Sequence, residues 1–187
     1  MTAPARPTGP ATGPATGPAT GRSVELVRDY PVEPARVFAA WTDPDQLEWF
    51  SGLPAAQSGP TVDLRPGGLW RVTLQEGPGG RRYPTGGLYH VVDPPHRLEF
   101  SWGAPGGWPD LDPAAPDTVP RVVVTFEPLP PPGPGTPGTR MTATLLLPGH
   151  LDDAQVAHWF DLGIRRGWTV TVDRLRAHLL TRRDQPR

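Results

Sequence analysis

The longest regular pattern of apolar and polar positions runs from Gly163 to Leu180. Placed at about 100° per residue, Ile164, Trp168, Val172, Leu175 and Leu179 form one stripe about 80° wide, with Arg165, Arg166, Asp173, Arg174 and Arg176 outside it. The spacing predicts an amphipathic helix. Counted from Ile164 to Arg182 it is about 28 Å long at a rise of about 1.5 Å per residue, enough to cross a sheet. Most of the ordered-looking sequence upstream has strand character, so the helix needs a sheet to lie on and the sheet needs a cover for one face.

Taken in order, Val24–Tyr30 reads as a first strand that Pro31 ends. Pro34 suits a first helical turn, with Val37, Phe38 and Trp41 on one face, and a second start follows: Asp43 as N-cap, Pro44 at the first position and Gln46 as capping-box partner. Two short helices, 34–42 and 44–50, are therefore expected. From Thr61 the period changes to two. Strands are expected over 61–64, 69–76, 82–92, 97–102, 119–127 and 139–147, separated by turns such as Arg65-Pro66-Gly67-Gly68 and Asp93-Pro94-Pro95-His96. Leu98, Phe100 and Trp102 share one face of their strand and Glu99 and Ser101 the other, the alternation of a half-buried antiparallel strand. Asp152 and Gln155 form a capping box for a helix near 153–162. Its Trp159 projects about 180° from Trp168, so Gly163 should break the two helical pieces apart. The fold class expected is α+β: an antiparallel sheet of about six or seven strands wrapped on a long C-terminal helix, with two short helices after the first strand.

Composition changes this picture in few places. The 28 Pro and 22 Gly are many for 187 residues, but about half of them fall in 1–22, 103–118 and 128–138, leaving the remainder ordinary. Residues 9–20 are three copies of Gly-Pro-Ala-Thr, so 1–22 is expected to be a disordered tail, 23–182 one domain and 183–187 a disordered end. The loop 103–118 is long for a compact domain, and is expected to be mobile or functional. A net charge of −1 offers no field for a polyanion, so no nucleic-acid partner is expected. There is no Cys and no Lys, which removes thiolate and Schiff-base chemistry. No apolar run approaches a membrane span and no leader is legible, making a cytoplasmic location without a membrane partner the default.

Particular words in the chain carry a resemblance. They are Trp41-Thr42-Asp43-Pro44 running to Trp49-Phe50, Asp63-Leu64-Arg65-Pro66-Gly67-Gly68-x-Trp70, and Gly87-x-Tyr89 followed by Pro94-Pro95-x-Arg97-Leu98-x-Phe100-x-Trp102. Val124-Thr125-Phe126-Glu127, Gly138-Thr139-Arg140-Met141-Thr142 and Gly167-Trp168 leading to Asp173-Arg174-Leu175 complete the set. Over about 24–180 their order resembles the SRPBCC (START-like, helix-grip) superfamily, and within it the family named for the activator of Hsp90 ATPase homologue. The chain departs from that pattern in its longer Pro/Gly loops and in carrying Leu145 where many members have a His.

The resemblance implies a cavity between sheet and terminal helix, with Trp49, Trp70, Tyr89, Trp102 and Trp168 as apolar walls for a ligand. For a polar group in it the sequence offers Tyr89, His90 and Arg71; Tyr89 and His90 are strand neighbours, so at most one of them lines the pocket. Packing is the competing role for each Trp, and a solvated strand position for His90 and Arg71. The other His, at 96, 150, 158 and 178, have no ligand spacing, none of the four Ser sits in a nucleophile motif, and no carboxylate pair is placed for acid–base work, so neither metal, cofactor nor catalytic residues are expected. Three readings follow. The first is non-catalytic binding of a small hydrophobic or aromatic molecule. The second is a cyclase or aromatase type of enzyme, which resembling folds also host; it needs a polar residue deep in the cavity. The third is a chaperone cofactor or interaction module with an Hsp90-type partner, weakened because no second folded domain of the kind eukaryotic activators carry is legible. Binding is the reading favoured, with a homodimer or a chaperone partner left open.

Overall fold

A computed structural model describes residues 21–131 and 137–181. The tail expected over 1–22 lies outside the described residues except for Gly21 and Arg22, as do 132–136 of the Pro/Gly run 128–138 and the C-terminus from 182. Arg22 is tied to the body: its guanidinium donates to the Leu151 carbonyl at 2.7 Å and to Asp153 at 3.0 Å, and its own carbonyl accepts from Leu147.

The elements are β1 (Ser23–Tyr30), α1 (Pro34–Thr42), α2 (Glu48–Ser51), α3 (Ala55–Ser58), β2 (Thr61–Val62), β3 (Leu69–Gln75), β4 (Arg82–Asp93), β5 (Arg97–Trp102), β6 (Arg121–Leu129), β7 (Gly138–Leu146), α4 (Asp153–Asp161) and α5 (Ile164–Thr181). The seven strands form one antiparallel sheet in the order β1-β7-β6-β5-β4-β3-β2. Placing β1 beside β7 obliges the chain to cross from one sheet edge to the other between β1 and β2, and α1 to α3 make that crossing. Alternation along β6 and β7 sends Val122, Val124, Phe126, Met141, Ala143 and Leu145 inward. Against them α5 buries Ile164, Trp168, Val172, Leu175 and Leu179, the stripe its period predicts. This is the α+β helix-grip arrangement.

Several local expectations change. The helix expected over 44–50 is a 3₁₀ turn, Pro44–Gln46, followed by α2, and Gln46 does not complete a capping box. Its amide donates to the Asp43 carboxylate at 3.0 Å, while that carboxylate accepts from the Asp45 N–H. At Asp152 both halves of the box form. The four-residue α3 has no sequence period to announce it, and Asp63 and Leu64 leave the strand early. The sixth strand starts at Arg121 instead of Val119. The loop 103–118 is held by backbone bonds, among them Gly103 N–H to Gly86 O and Trp108 N–H to Pro84 O, and it ends in a 3₁₀ turn, Pro116–Thr118.

Gly163 separates α4 from α5 with φ of +81°, and its N–H returns to the Phe160 carbonyl at 2.9 Å. A Cβ there would meet no neighbour, so only the left-handed backbone opposes a side chain. Gly163→Ala is therefore expected to destabilise the fold by about 1 kcal/mol in chemical denaturation. A gain of about 0.5–1 kcal/mol, the value of Ala over Gly inside a helix, would mean that the two helices run together.

Candidate functional site

The site is built on a row of the sheet that lacks a side chain. Gly87 of β4 is paired with Trp70 on one side and Trp102 on the other, while Tyr89, two residues on, is paired with Phe100. A Cβ at Gly87 would stand 2.5 Å from the Trp70 Nε1 and 2.6 Å from Phe100, so glycine lets the Trp70 indole lie over the strand and reach Phe100.

The five aromatic residues expected at the site are all buried, and the structure brings them into one lattice. Phe50 stands at its centre, with ring centroids 5.4 Å from Trp49, 5.0 Å from Trp70 and 5.8 Å from Trp168, all nearly perpendicular. Phe100 continues it to Trp70 at 5.4 Å and Tyr89 at 6.2 Å, and Trp41 touches both phenyl rings. Trp102 and Trp168 meet edge-on at 5.3 Å, joining β5 to α5. Trp49 comes from α2 and packs on Trp41 at 4.9 Å. The rings are thus in mutual contact, and a molecule entering this interior must displace one of them.

Phe50, Phe100, Trp41 and Trp108 belong to this lattice although the sequence reading does not place them there. Phe50 and Phe100 stand in its motifs, but a Phe on an apolar face has the signature of ordinary core. Trp108 carries no signal, because the loop around it has no period. It is half-buried, 5.2 Å from Trp102 and 5.9 Å from Trp159 of α4, and so links the interior lattice to the surface. Leu145 faces the core in the cross-strand row that runs through Val122 and Phe100 to Tyr89, leaving that row apolar up to the tyrosine.

The polar atoms of the lattice divide into two sets. Trp49 Nε1 donates to the Ala40 carbonyl at 2.8 Å and Trp102 Nε1 to Thr85 Oγ1 at 3.1 Å. Trp41 Nε1, Trp70 Nε1, Trp168 Nε1 and the Tyr89 hydroxyl are buried with no hydrogen-bond partner among the described residues. Perpendicular packing offers them at most an aromatic face, a second-order partner. Each buried donor left without an acceptor costs about 1–3 kcal/mol, so four in one place is a large local expense. Burial also pushes the Tyr89 phenol well above its ordinary range, keeping it a neutral donor. Arg174 of α5 is half-buried beside the lattice: its Nη2 donates to the Phe50 carbonyl and to Thr171 Oγ1, and its Nε is unpartnered among the described residues. Burial lowers its pKa.

His90 and Arg71 are not in the lattice. Arg71 is exposed. A β-bulge makes His90 the extra residue between Tyr89 and Val91, and its Nε2 lies 2.8 Å from Ser101 Oγ on the outer face. The Ser101 hydroxyl donates to the Pro116 carbonyl at 2.7 Å, so His90 Nε2 is the donor in their pair. Burial, aided by Arg121, lowers the His90 pKa below 6.5 against the opposing pull of Glu99 and Asp117. Among the described residues no cluster of three or more His, Asp or Glu is spaced for a metal ion, and no helix is long and apolar enough to cross a membrane.

Two outcomes follow from this geometry. Thr85→Val removes the acceptor of Trp102 at constant shape, turning a paired indole into an unpaired one, and should cost about 1–3 kcal/mol in chemical denaturation. No loss would mean that pairing does not distinguish Trp102 from the other three indoles. For His90 the folded state binds its proton more weakly than the unfolded state does. Its contribution is therefore complete above the ordinary pKa of 6.5 and is lost as pH falls through that value to the lower folded one. His90→Gln should shrink the drop in stability between about pH 7.5 and about pH 5. An unchanged drop would exclude His90 as its source.

Comparison with known proteins agrees with this architecture. The sequence matches the family described as activator of Hsp90 ATPase homolog 1-like protein over residues 31–180. Among curated proteins none matches. Similar solved structures include a protein from Mycobacterium smegmatis, 25% identical with a TM-score of 0.61 over 84% of this chain and 90% of that one. A protein from Arthrobacter aurescens is 23% identical with a TM-score of 0.65, over 86% and 87%. An HSP90 activator from Plasmodium falciparum is 21% identical with a TM-score of 0.51, over 79% and 88%. These identities carry the fold; the match over 31–180 carries the family. With its antiparallel sheet closed on a C-terminal helix and that match over most of its length, the chain belongs to the activator of Hsp90 ATPase homolog 1-like family.

Proposed function

We propose that the chain is a non-catalytic binding module for a small hydrophobic or aromatic molecule, held between the inner face of the sheet and α5. The observation that supports this reading is the aromatic lattice itself, in which Trp49, Trp70, Tyr89, Trp102 and Trp168 touch one another through Phe50 and Phe100. Aromatic rings offer broad flat walls with few rotamers to freeze, which suits recognition of a flat apolar ligand. Phe50 is the ring best placed to yield, because α2 is one turn long and Gly52 ends it in a left-handed conformation.

A cyclase or aromatase needs an acid–base group among these walls. The lattice supplies a neutral phenol and indoles, and His90 stands on the opposite face of the sheet. An interaction role has separate support in the family's description. A shallow surface groove of about 430 Å³ beside α4, lined by Leu151, Asp152, Ala154, Gln155, His158 and Trp159, offers one surface on which that role can be tested.

Titration of tryptophan emission with a panel of aromatic and acyl compounds separates the two. Binding predicts a saturable change that Trp168→Phe reduces, since Trp168 touches both Phe50 and Trp102. No response to any compound, together with capture of an Hsp90-type chaperone that fails after His158→Glu, would replace the first reading with the second.

A further inference from the structure

The unpartnered donors of the lattice define the chemistry of the ligand more closely than its apolar walls do. Three of the four are indole N–H groups, which can only donate, and the fourth is a hydroxyl with no acceptor for its proton. They surround the same two rings. Trp41, Trp70 and Trp168 all touch Phe50, and Trp41, Trp70 and Tyr89 all touch Phe100, so Trp41 and Trp70 are common to both ends of the site, and of these two it is Trp70 whose Nε1 lies over the bare backbone of Gly87. Trp49 and Trp102 provide an internal contrast, since protein oxygens occupy their N–H groups in the same core.

From this arrangement, and resting on the binding reading above, we infer that the ligand is a neutral aromatic molecule carrying a hydrogen-bond acceptor, an aryl ketone or ester, whose oxygen is received by Trp70 Nε1 with Trp168 Nε1 or the Tyr89 hydroxyl as the second donor. A donor-bearing ligand such as a phenol or an aniline adds another proton to a site already short of acceptors. A carboxylate brings a full charge to a site whose converging rings offer only neutral donors; Arg174, the cation that reaches the lattice among the described residues, has its Nη2 on the Phe50 carbonyl and Thr171 and only its Nε unpartnered. A carbonyl on an aromatic ring meets both requirements: its ring can take the place of a displaced one, and its oxygen supplies two lone pairs to N–H groups that have no acceptor.

The test uses three probes of nearly equal shape: acetophenone, its hydrocarbon isostere α-methylstyrene, and benzoate. Their binding to the full chain is followed by calorimetry and by the indole N–H resonances of protein labelled with ¹⁵N. Acetophenone should bind at least about fivefold more tightly than α-methylstyrene, the factor for one neutral hydrogen bond, and more tightly than benzoate. It should also move the Trp70 Nε1–H resonance downfield while those of Trp49 and Trp102 stay in place. Trp70→Phe should bring acetophenone and α-methylstyrene to parity; if that variant does not fold, the wild-type resonance still decides. Equal binding of ketone and hydrocarbon, or tighter binding of benzoate, overturns this inference and leaves the binding reading standing. Binding of none of the three up to their solubility overturns both. The inference also falls if, in the free protein, the Trp70 and Trp168 resonances already lie with those of Trp49 and Trp102, because the donors would then be satisfied without a ligand.

Discussion

Burial of the α5 stripe against the inner face of the sheet is the contact on which the rest of this molecule depends, because the two surfaces take each other out of water and the short helices α1 and α2 complete the cover. The sheet presents Val24, Val122, Val124, Leu98 and Met141, all essentially inaccessible, and α5 covers its inner face together with α1 and α2, whose Phe38, Trp41 and Phe50 pack on Phe126, Phe100 and Trp70. At about 25 cal/mol per Å² of apolar surface, a stripe of this size is worth several side chains of burial. That is far more than the intrinsic helicity of a segment with two β-branched Thr and two Val in one stretch. Tertiary packing therefore sets the position of α5. The break at Gly163 allows this by turning α4 away, so that Trp159 and Trp168 need not share one face.

Within that contact the two ends differ in kind. Toward β1 and β7 the interface is mostly aliphatic, the exceptions being Phe38 edge-on to Phe126 and the buried Tyr30, whose hydroxyl also has no partner among the described residues. Toward β3, β4 and β5 it is aromatic, because Gly87 removes the side chain over which Trp70 lies and the loop 103–118 returns Trp108 against Trp102. Aliphatic packing needs only volume, whereas rings on this scale bring N–H and O–H groups that demand partners. The protein meets that demand for Trp49 and Trp102 and leaves it unmet for Trp41, Trp70, Trp168 and Tyr89. A core selected for stability alone would replace such residues by Phe or Leu. Their retention beside an otherwise well-packed sheet is the physical reason for regarding this end of the interior as a place of recognition.

Much of this was legible in the residues. The stripe of α5 with Trp168, the break at Gly163 and the alternation of β5 to β7 with Trp102 each follow from a period or from a residue with a single backbone use, whereas Trp49, Trp70 and Tyr89 are placed beside them only by the family resemblance of the words around them. What escaped has no period. The four-residue α3 is shorter than any pattern that could announce it. The bulge at His90 depends on the partner strand and not on the local sequence, and it decides that His90 and Val91 both leave the core side. Trp108 sits in a Pro/Gly loop whose path is set by hydrogen bonds to Pro84 and Gly86 of a strand near the middle of the sheet. Gln46 satisfies the spacing of a capping box, yet the Asp43 N–H already closes α1 on the Ala39 carbonyl at 2.8 Å, so the Gln46 amide donates to the Asp43 carboxylate instead. Which donors lack partners is likewise a property of the assembled interior: nothing in the sequence separates Trp102, whose acceptor is Thr85 across the strand pair, from Trp70, which has none.

The central claim is that the aromatic end of the interior holds a small molecule in the working protein. Native mass spectrometry of the chain purified from its own cells, without organic solvent at any step, addresses it most directly. The account predicts a non-covalent adduct that leaves on collisional heating, is released as a neutral aromatic compound, and is diminished in Trp168→Phe protein prepared in the same way. The bare chain mass in every charge state, from preparations in which the fold is intact and a synthetic ligand panel also fails to bind, would contradict it.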